Sequence, residues 1–167
     1  MATNLTDGSS FPGQFFTYVA GPHRPRSYST YSMRSVLLVE DDIFDTMTTE
    51  KSFAKFSIPH QLHTAFNGEE ALDLLLGRNG ADALRPLPEV ILLDLNMPRM
   101  NGIEFLTELR ASAEFADIPV FITTTSSMDV DRLATDSLGV SGYILKPLDF
   151  ETGDLSDSLS LLEKLLR

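Results

Sequence analysis

The sequence predicts an α/β fold, a five-stranded parallel sheet doubly wound with helices on both faces. Three observations carry this expectation. Four short aliphatic runs each end in a polar residue of chemical use. Strand-like and helix-like segments alternate from residue 35 to the end. The length, 167 residues, fits one domain with a full core.

A short apolar run bounded by polar and turn residues reads as a strand buried on both faces. The first is Val36-Leu37-Leu38-Val39, in a strand expected over 35–40, followed by Glu40-Asp41-Asp42. A helix is expected over 43–57, although Thr46, Thr48 and Thr49 are poor helix formers. A strand over 61–65 follows. The next helix, 68–77, has Asn67-Gly68 at its start and Gly77 at its end, both boundary signals. After a long connection over 78–88, Val90-Ile91-Leu92-Leu93 forms the centre of a strand over 89–94 that ends on Asp94. A helix over 102–113 leads to a strand over 118–123, with Val120-Phe121-Ile122 before Thr123-Thr124. A helix over 128–138 leads to a strand over 142–145, with Tyr143-Ile144-Leu145 before Lys146-Pro147. In the last helix, 151–166, Leu155, Leu159, Leu162 and Leu166 recur at helical spacing. Five βα units in series imply a parallel sheet covered on both faces, with right-handed crossovers.

Composition narrows the function. The net charge is −11, whereas nucleic-acid binding needs a basic face. There are no cysteines, which removes disulfides, thiolate chemistry and Cys-type zinc sites. No apolar run approaches the roughly 20 residues of a membrane helix. The apolar stretch 15–20 is too short for a signal-peptide core and has no positive charge before it. The expectation is a cytoplasmic protein with no nucleic-acid or membrane partner. Residues 1–34 are rich in Gly, Ser, Thr, Pro and aromatics and carry a net +2, leaving −13 on residues 35–167. They read as a flexible extension or an expression-derived segment. The other reading is a binding arm, docking through Phe11, Phe15, Phe16, Tyr18, Tyr28 and Tyr31.

In a parallel sheet, ligands bind at the carboxyl ends of the strands. If the first and third strands are neighbours, Glu40, Asp41, Asp42 and Asp94 converge there. Two like charges about 4 Å apart repel by roughly 4 kcal/mol at an effective dielectric of 20. Lys146 brings one positive charge, too little for three anions. A hard divalent cation suits an all-oxygen site, which points to Mg²⁺. A carboxylate beside a cation and an ammonium is a nucleophile toward phosphorus. Mg²⁺, Lys146 and the Thr124 hydroxyl would each hold one phosphoryl oxygen, and Asp94 would become an acyl phosphate.

Residues 35–167 resemble a receiver domain of the two-component response regulators. The likeness runs through Glu40-Asp41, Asp94-Leu95-Asn96-Met97-Pro98…Gly102, Thr124 and Tyr143…Lys146-Pro147. It implies the flavodoxin-like sheet order 2-1-3-4-5. It also implies that Asp94 is the phosphoacceptor and that Glu40 and Asp41 bind the metal, Glu40 through water. The backbone carbonyl of Asn96 is a further implied ligand. Thr124 and Tyr143 would be the switch pair. Lys146 would bind the phosphoryl group and precede a cis Pro147. Asp42 is auxiliary, and Thr125 and Ser126 would flank the phosphoryl pocket. Asn101 stands where Asp is common in the family, which touches only the turn. The threonine run leaves Thr123 as a second candidate for the Thr124 role.

The implied function is a stand-alone, single-domain response regulator, a signalling protein rather than an enzyme. Its implied partners are a sensor histidine kinase or phosphotransfer protein and a downstream protein target. Homodimerisation through the last two helices is a further option, since Leu161 and Leu165 widen the apolar stripe of the final helix. The long 78–88 loop and Pro147-Leu148-Asp149-Phe150-Glu151 are similar to small regulators paired with phytochrome-type kinases. Two alternatives stay open. A Mg²⁺-dependent aspartyl-phosphate phosphatase would commonly carry a second acid two residues after the nucleophile, where this chain has Asn96. A phosphorylation-independent interaction module would keep the fold alone. His23, His60 and His63 are scattered and show no metal-ligand spacing.

Overall fold

A computed structural model describes residues 33–55, 60–125, 132–148 and 157–166. These residues lie within a compact unit, Tyr31–Arg167. Of the expected extension, all but Met33 and Arg34 fall outside the described residues.

The elements alternate as β1 (Arg34–Val39), α1 (Ile43–Lys55), β2 (His60–Ala65), α2 (Gly68–Leu76), β3 (Val90–Asp94), α3 (Gly102–Ala111), β4 (Val120–Thr124), α4 (Arg132–Ser137), β5 (Gly142–Leu145) and α5 (Asp157–Leu166). The strands form one parallel sheet in the order β2-β1-β3-β4-β5. The order reverses between β1 and β3, which makes the crevice at their carboxyl ends the expected ligand position.

The aliphatic runs are central because the sheet is covered on both sides. Leu37, Val39, Ile91, Leu93, Val120 and Ile122 point to a core shared with Ala71 and Leu75 of α2 and Phe105, Leu106 and Leu109 of α3. Val36, Leu38, Val90, Leu92, Phe121 and Ile144 point the other way, to Phe53 of α1 and Leu159, Leu162 and Leu166 of α5. Leu165 packs against that second core, while Leu161 is exposed.

Several boundaries differ from the sequence expectation. Glu40 lies just past β1, not within it. β4 starts at Val120, because Pro119 has no N–H for the ladder, although its carbonyl accepts from Ile91. α3 stops at Ala111 instead of 113, with Ser112 extended as its cap. Residues 56–57, 128–131 and 151–156 of the expected helices lie outside the described residues, as does Leu155. α1 forms despite its threonines. Thr46 and Thr49 share its buried face with Phe53, and the Thr48 hydroxyl donates to the Phe44 carbonyl at 2.8 Å.

The long α2–β3 connection is tied down. Leu84 N–H donates to Leu74 O at 2.8 Å, and Arg85 donates to Leu75 O at 3.1 Å and pairs with Glu114 at 2.8 Å. Arg110 of α3 donates to four carbonyls, those of Ala116, Ile118, Leu138 and Gly139. It thereby joins the entry to β4 to the exit from α4. Asn101, the expected turn residue, caps α3 through a reciprocal pair with Glu104.

Candidate functional site

The strand ends bring Glu40, Asp41 and Asp94 together. One carboxylate oxygen from each lies within 4.8 Å of the other two. Glu40 follows β1 directly and is held by its own N–H, which donates to Ala65 O at 2.9 Å. Its Oε1 accepts from the Asp42 N–H at 3.2 Å. Asp94 is the last residue of β3, and its Oδ2 accepts from the Asn96 N–H at 3.0 Å. That bond keeps the Asn96 backbone beside Asp94. Gly102 is required by the loop after β3. A Cβ there would meet the Asp94 carbonyl, and would lie 2.7 Å from Leu95 Cα.

Lys146 sits at the centre. Its Nζ is 2.6 Å from Glu40 Oε2, 3.0 Å from Asp45 Oδ2 and 3.2 Å from Asp94 Oδ1. The Lys146 N–H donates to Thr124 O at 2.7 Å, and the Lys146–Pro147 bond is cis, as expected. Burial alone would lower the Lys146 pKa. The contacts with Glu40 and Asp45 and the charge of Asp94 outweigh it, and the net movement is upward, so the ammonium stays charged. For Glu40, burial is the largest influence and raises the pKa against the opposing pull of Lys146.

An all-oxygen trio of carboxylates, partly buried and facing a crevice, fits a hard divalent cation. Glu40, Asp41 and Asp94 would hold it. Asp42 takes another role. Its Oδ1 accepts from the N–H groups of Phe44 at 2.7 Å and Asp45 at 3.2 Å, so it caps α1.

The threonines divide by face. Register pairs Asp94 with Thr123, and Thr123 follows Phe121 on the face toward α1 and α5. Its hydroxyl is buried without a partner. Thr124 follows Ile122 on the opposite face, the one carrying Tyr143, and is half-buried. Thr125 comes next and is exposed, while Ser126 lies outside the described residues. The Tyr143 hydroxyl donates to Asp136 Oδ1 at 2.6 Å and lies 2.6 Å from Thr135 Oγ1, both on α4.

Sequence reasoning missed Asp45, Thr135 and Asp136. Asp45 had a weak signal, as an acid one helical turn past Asp41. The two α4 residues had none, since their meeting with Tyr143 depends on tertiary packing.

The sequence profile of the response regulator receiver domain matches residues 36–156. The chain belongs to that family. A two-component response regulator from Legionella pneumophila is 40% identical, with a TM-score of 0.68 over 79% of this chain and 97% of its own. The bacteriophytochrome response regulator RtBRR is 32% identical, with a TM-score of 0.66 over 80% and 78%. Response regulator Rcp1 of Synechocystis is 34% identical over 66% of this chain and 75% of Rcp1. Rcp1 has been solved in an Mn²⁺-bound form, with a TM-score of 0.60 over 79% and 91%. The likeness to phytochrome-linked regulators is therefore present alongside the broader family match. Receiver domains are signalling proteins that work with histidine kinases or phosphotransfer proteins and with downstream targets. Among the described residues, no helix is long and apolar enough to cross a membrane.

Proposed function

We propose that this receiver accepts a phosphoryl group on Asp94 from a phosphohistidine of a kinase or phosphotransfer protein, in a Mg²⁺-dependent reaction. The arrangement that carries the reading is Asp94 held between the Lys146 ammonium at 3.2 Å and the neighbouring carboxylates of Glu40 and Asp41. An ionised Asp94 oxygen attacks phosphorus, and no base is needed. The P–N bond of the donor breaks. Its electron pair returns to the imidazole, which leaves neutral because its second nitrogen is protonated. Bound Mg²⁺ would supply positive charge to the phosphoryl oxygens. Lys146 holds one of those oxygens, and the Thr124 hydroxyl turns toward another.

The donor would dock on the first turns of α1. Ile43, Phe44 and Met47 are exposed there, Phe44 by 75%, immediately after the Asp41-Asp42 rim. An apolar patch beside a phosphoacceptor suits a protein donor better than a small substrate. The output would run through Thr124 and Tyr143 to α4, changing contacts with a downstream protein or with a second copy through the last two helices. In this reading residues 35–167 are the receiver and residues 1–34 an extension. The protein is cytoplasmic and performs no turnover on a separate substrate.

The test is intact-mass measurement after treatment with acetyl phosphate and Mg²⁺. Wild type should gain one phosphoryl group, and Asp94→Asn none. A phosphate that persists on the variant at the same position rules out the assignment.

A further inference from the structure

Lys146 is saturated before any phosphoryl group arrives. An ammonium has three N–H donors. Three carboxylates stand around this one, at 2.6, 3.0 and 3.2 Å. Two of them belong to the phosphoacceptor site. The third, Asp45, comes from the first turn of α1 and has no place in the metal trio.

A phosphoryl group on Asp94 would add negative charge beside Lys146, and its oxygens would compete for the same donors. The three existing partners differ in what it costs to release them. Glu40 is only 3% exposed, so water cannot take the place of Lys146 beside its buried carboxylate. Asp94 is the group being converted, so its contact passes to the new phosphoryl oxygens. The Asp45 side chain is 39% exposed and returns to water at little cost. Asp45 is the most exposed of the three partners.

We propose that Asp45 is a positioning residue that competes with the phosphoryl group for Lys146, slowing acyl-phosphate formation and shortening its lifetime. The inference rests on the phosphoacceptor reading of Asp94 and extends it to a residue outside that set.

The experiment compares wild type, Asp45→Ala and Asp45→Glu for phosphorylation by acetyl phosphate with Mg²⁺. In that reaction an Asp94 oxygen bonds to phosphorus, the P–O bond to acetate breaks, and acetate leaves with the electron pair. Asp45→Ala should label about two- to fivefold faster, the scale of a partly exposed ion pair. Asp45→Glu should restore the slow rate. Independently, the Asp45 side-chain carboxyl carbon should shift by NMR when wild type takes up beryllofluoride, a phosphoryl mimic. Equal or slower labelling of Asp45→Ala, or an unmoved Asp45 signal, overturns the competition while leaving the phosphoacceptor assignment intact. Absence of a phosphoryl group on wild type Asp94 overturns both.

Discussion

The ammonium of Lys146 stands 2.6 Å from Oε2 of Glu40, whose side chain is almost sealed from solvent. Removing Lys146 would leave Glu40 and Asp94 facing each other with no counter-charge. Lys146→Met should therefore lose on the order of 3 kcal/mol of stability in urea unfolding. The pH dependence has a definite sign. The native pKa of Lys146 is raised above its ordinary 10.5, so its contribution is complete below that pH and is lost as pH climbs toward the native value. The stability difference between wild type and Lys146→Met should be flat from neutrality to about pH 10.5. Beyond that it should decline by about 1.4 kcal/mol per pH unit. A difference that stays flat there would mean that the ammonium contributes through packing alone.

Asp41 separates metal binding from folding. It is exposed and belongs to the carboxylate trio. Mg²⁺ at about one hundred times its Kd should stabilise wild type by about 2.7 kcal/mol. Asp41→Asn should lose most of that gain, yet unfold at or above the wild-type denaturant concentration without Mg²⁺, because one repelling charge has gone. Equal Mg²⁺ shifts in the two proteins would place the cation elsewhere.

Thr123 makes a prediction of opposite sign. It is 5% exposed, lies on the face of the sheet toward α1 and α5 and has a hydroxyl without a partner. Thr123→Val keeps the shape and removes the unsatisfied group, so it should stabilise by about 1 kcal/mol. It should leave phosphorylation by acetyl phosphate unchanged, whereas Thr124→Ala should slow it. Loss of labelling in the valine variant would transfer the phosphoryl-binding role to Thr123.

Gly102 holds the loop that carries Asn96. Its α carbon faces backbone atoms of Asp94 and Leu95, which cannot rotate away. Gly102→Ala should cost about 1–3 kcal/mol, and it should weaken Mg²⁺ binding as the loop moves off the cluster. Calorimetric titration with Mg²⁺ reads the second effect directly.

Much of the site was legible because strand ends are marked twice. Glu40, Asp94 and Lys146 each interrupt an aliphatic run, and a polar residue at that point sits at the edge of the sheet. Helix ends were less legible. α3 ends where Ser112 turns extended, a local choice that periodicity does not encode. The α1 threonines counted against a helix by propensity, yet the buried face of Thr46, Thr49 and Phe53 prevailed through packing. Asp45 was hidden for a related reason. An acid in the first turn of a helix is favoured by the helix dipole, so its presence there is only a weak signal of a partner such as Lys146. The partners of Tyr143 required knowing where α4 lies, which no spacing within the chain reveals.

The four carbonyls gathered by Arg110 have a mechanical consequence. Two of them, on Leu138 and Gly139, close the far end of α4, and the other two lead into β4. Any displacement of α4 that keeps these bonds turns about its C-terminal end, as a lever on a fixed fulcrum. Its travel would then be greatest at the opposite end, the end that follows Thr124 in the chain, with Thr135 and Asp136 moving less along the arm.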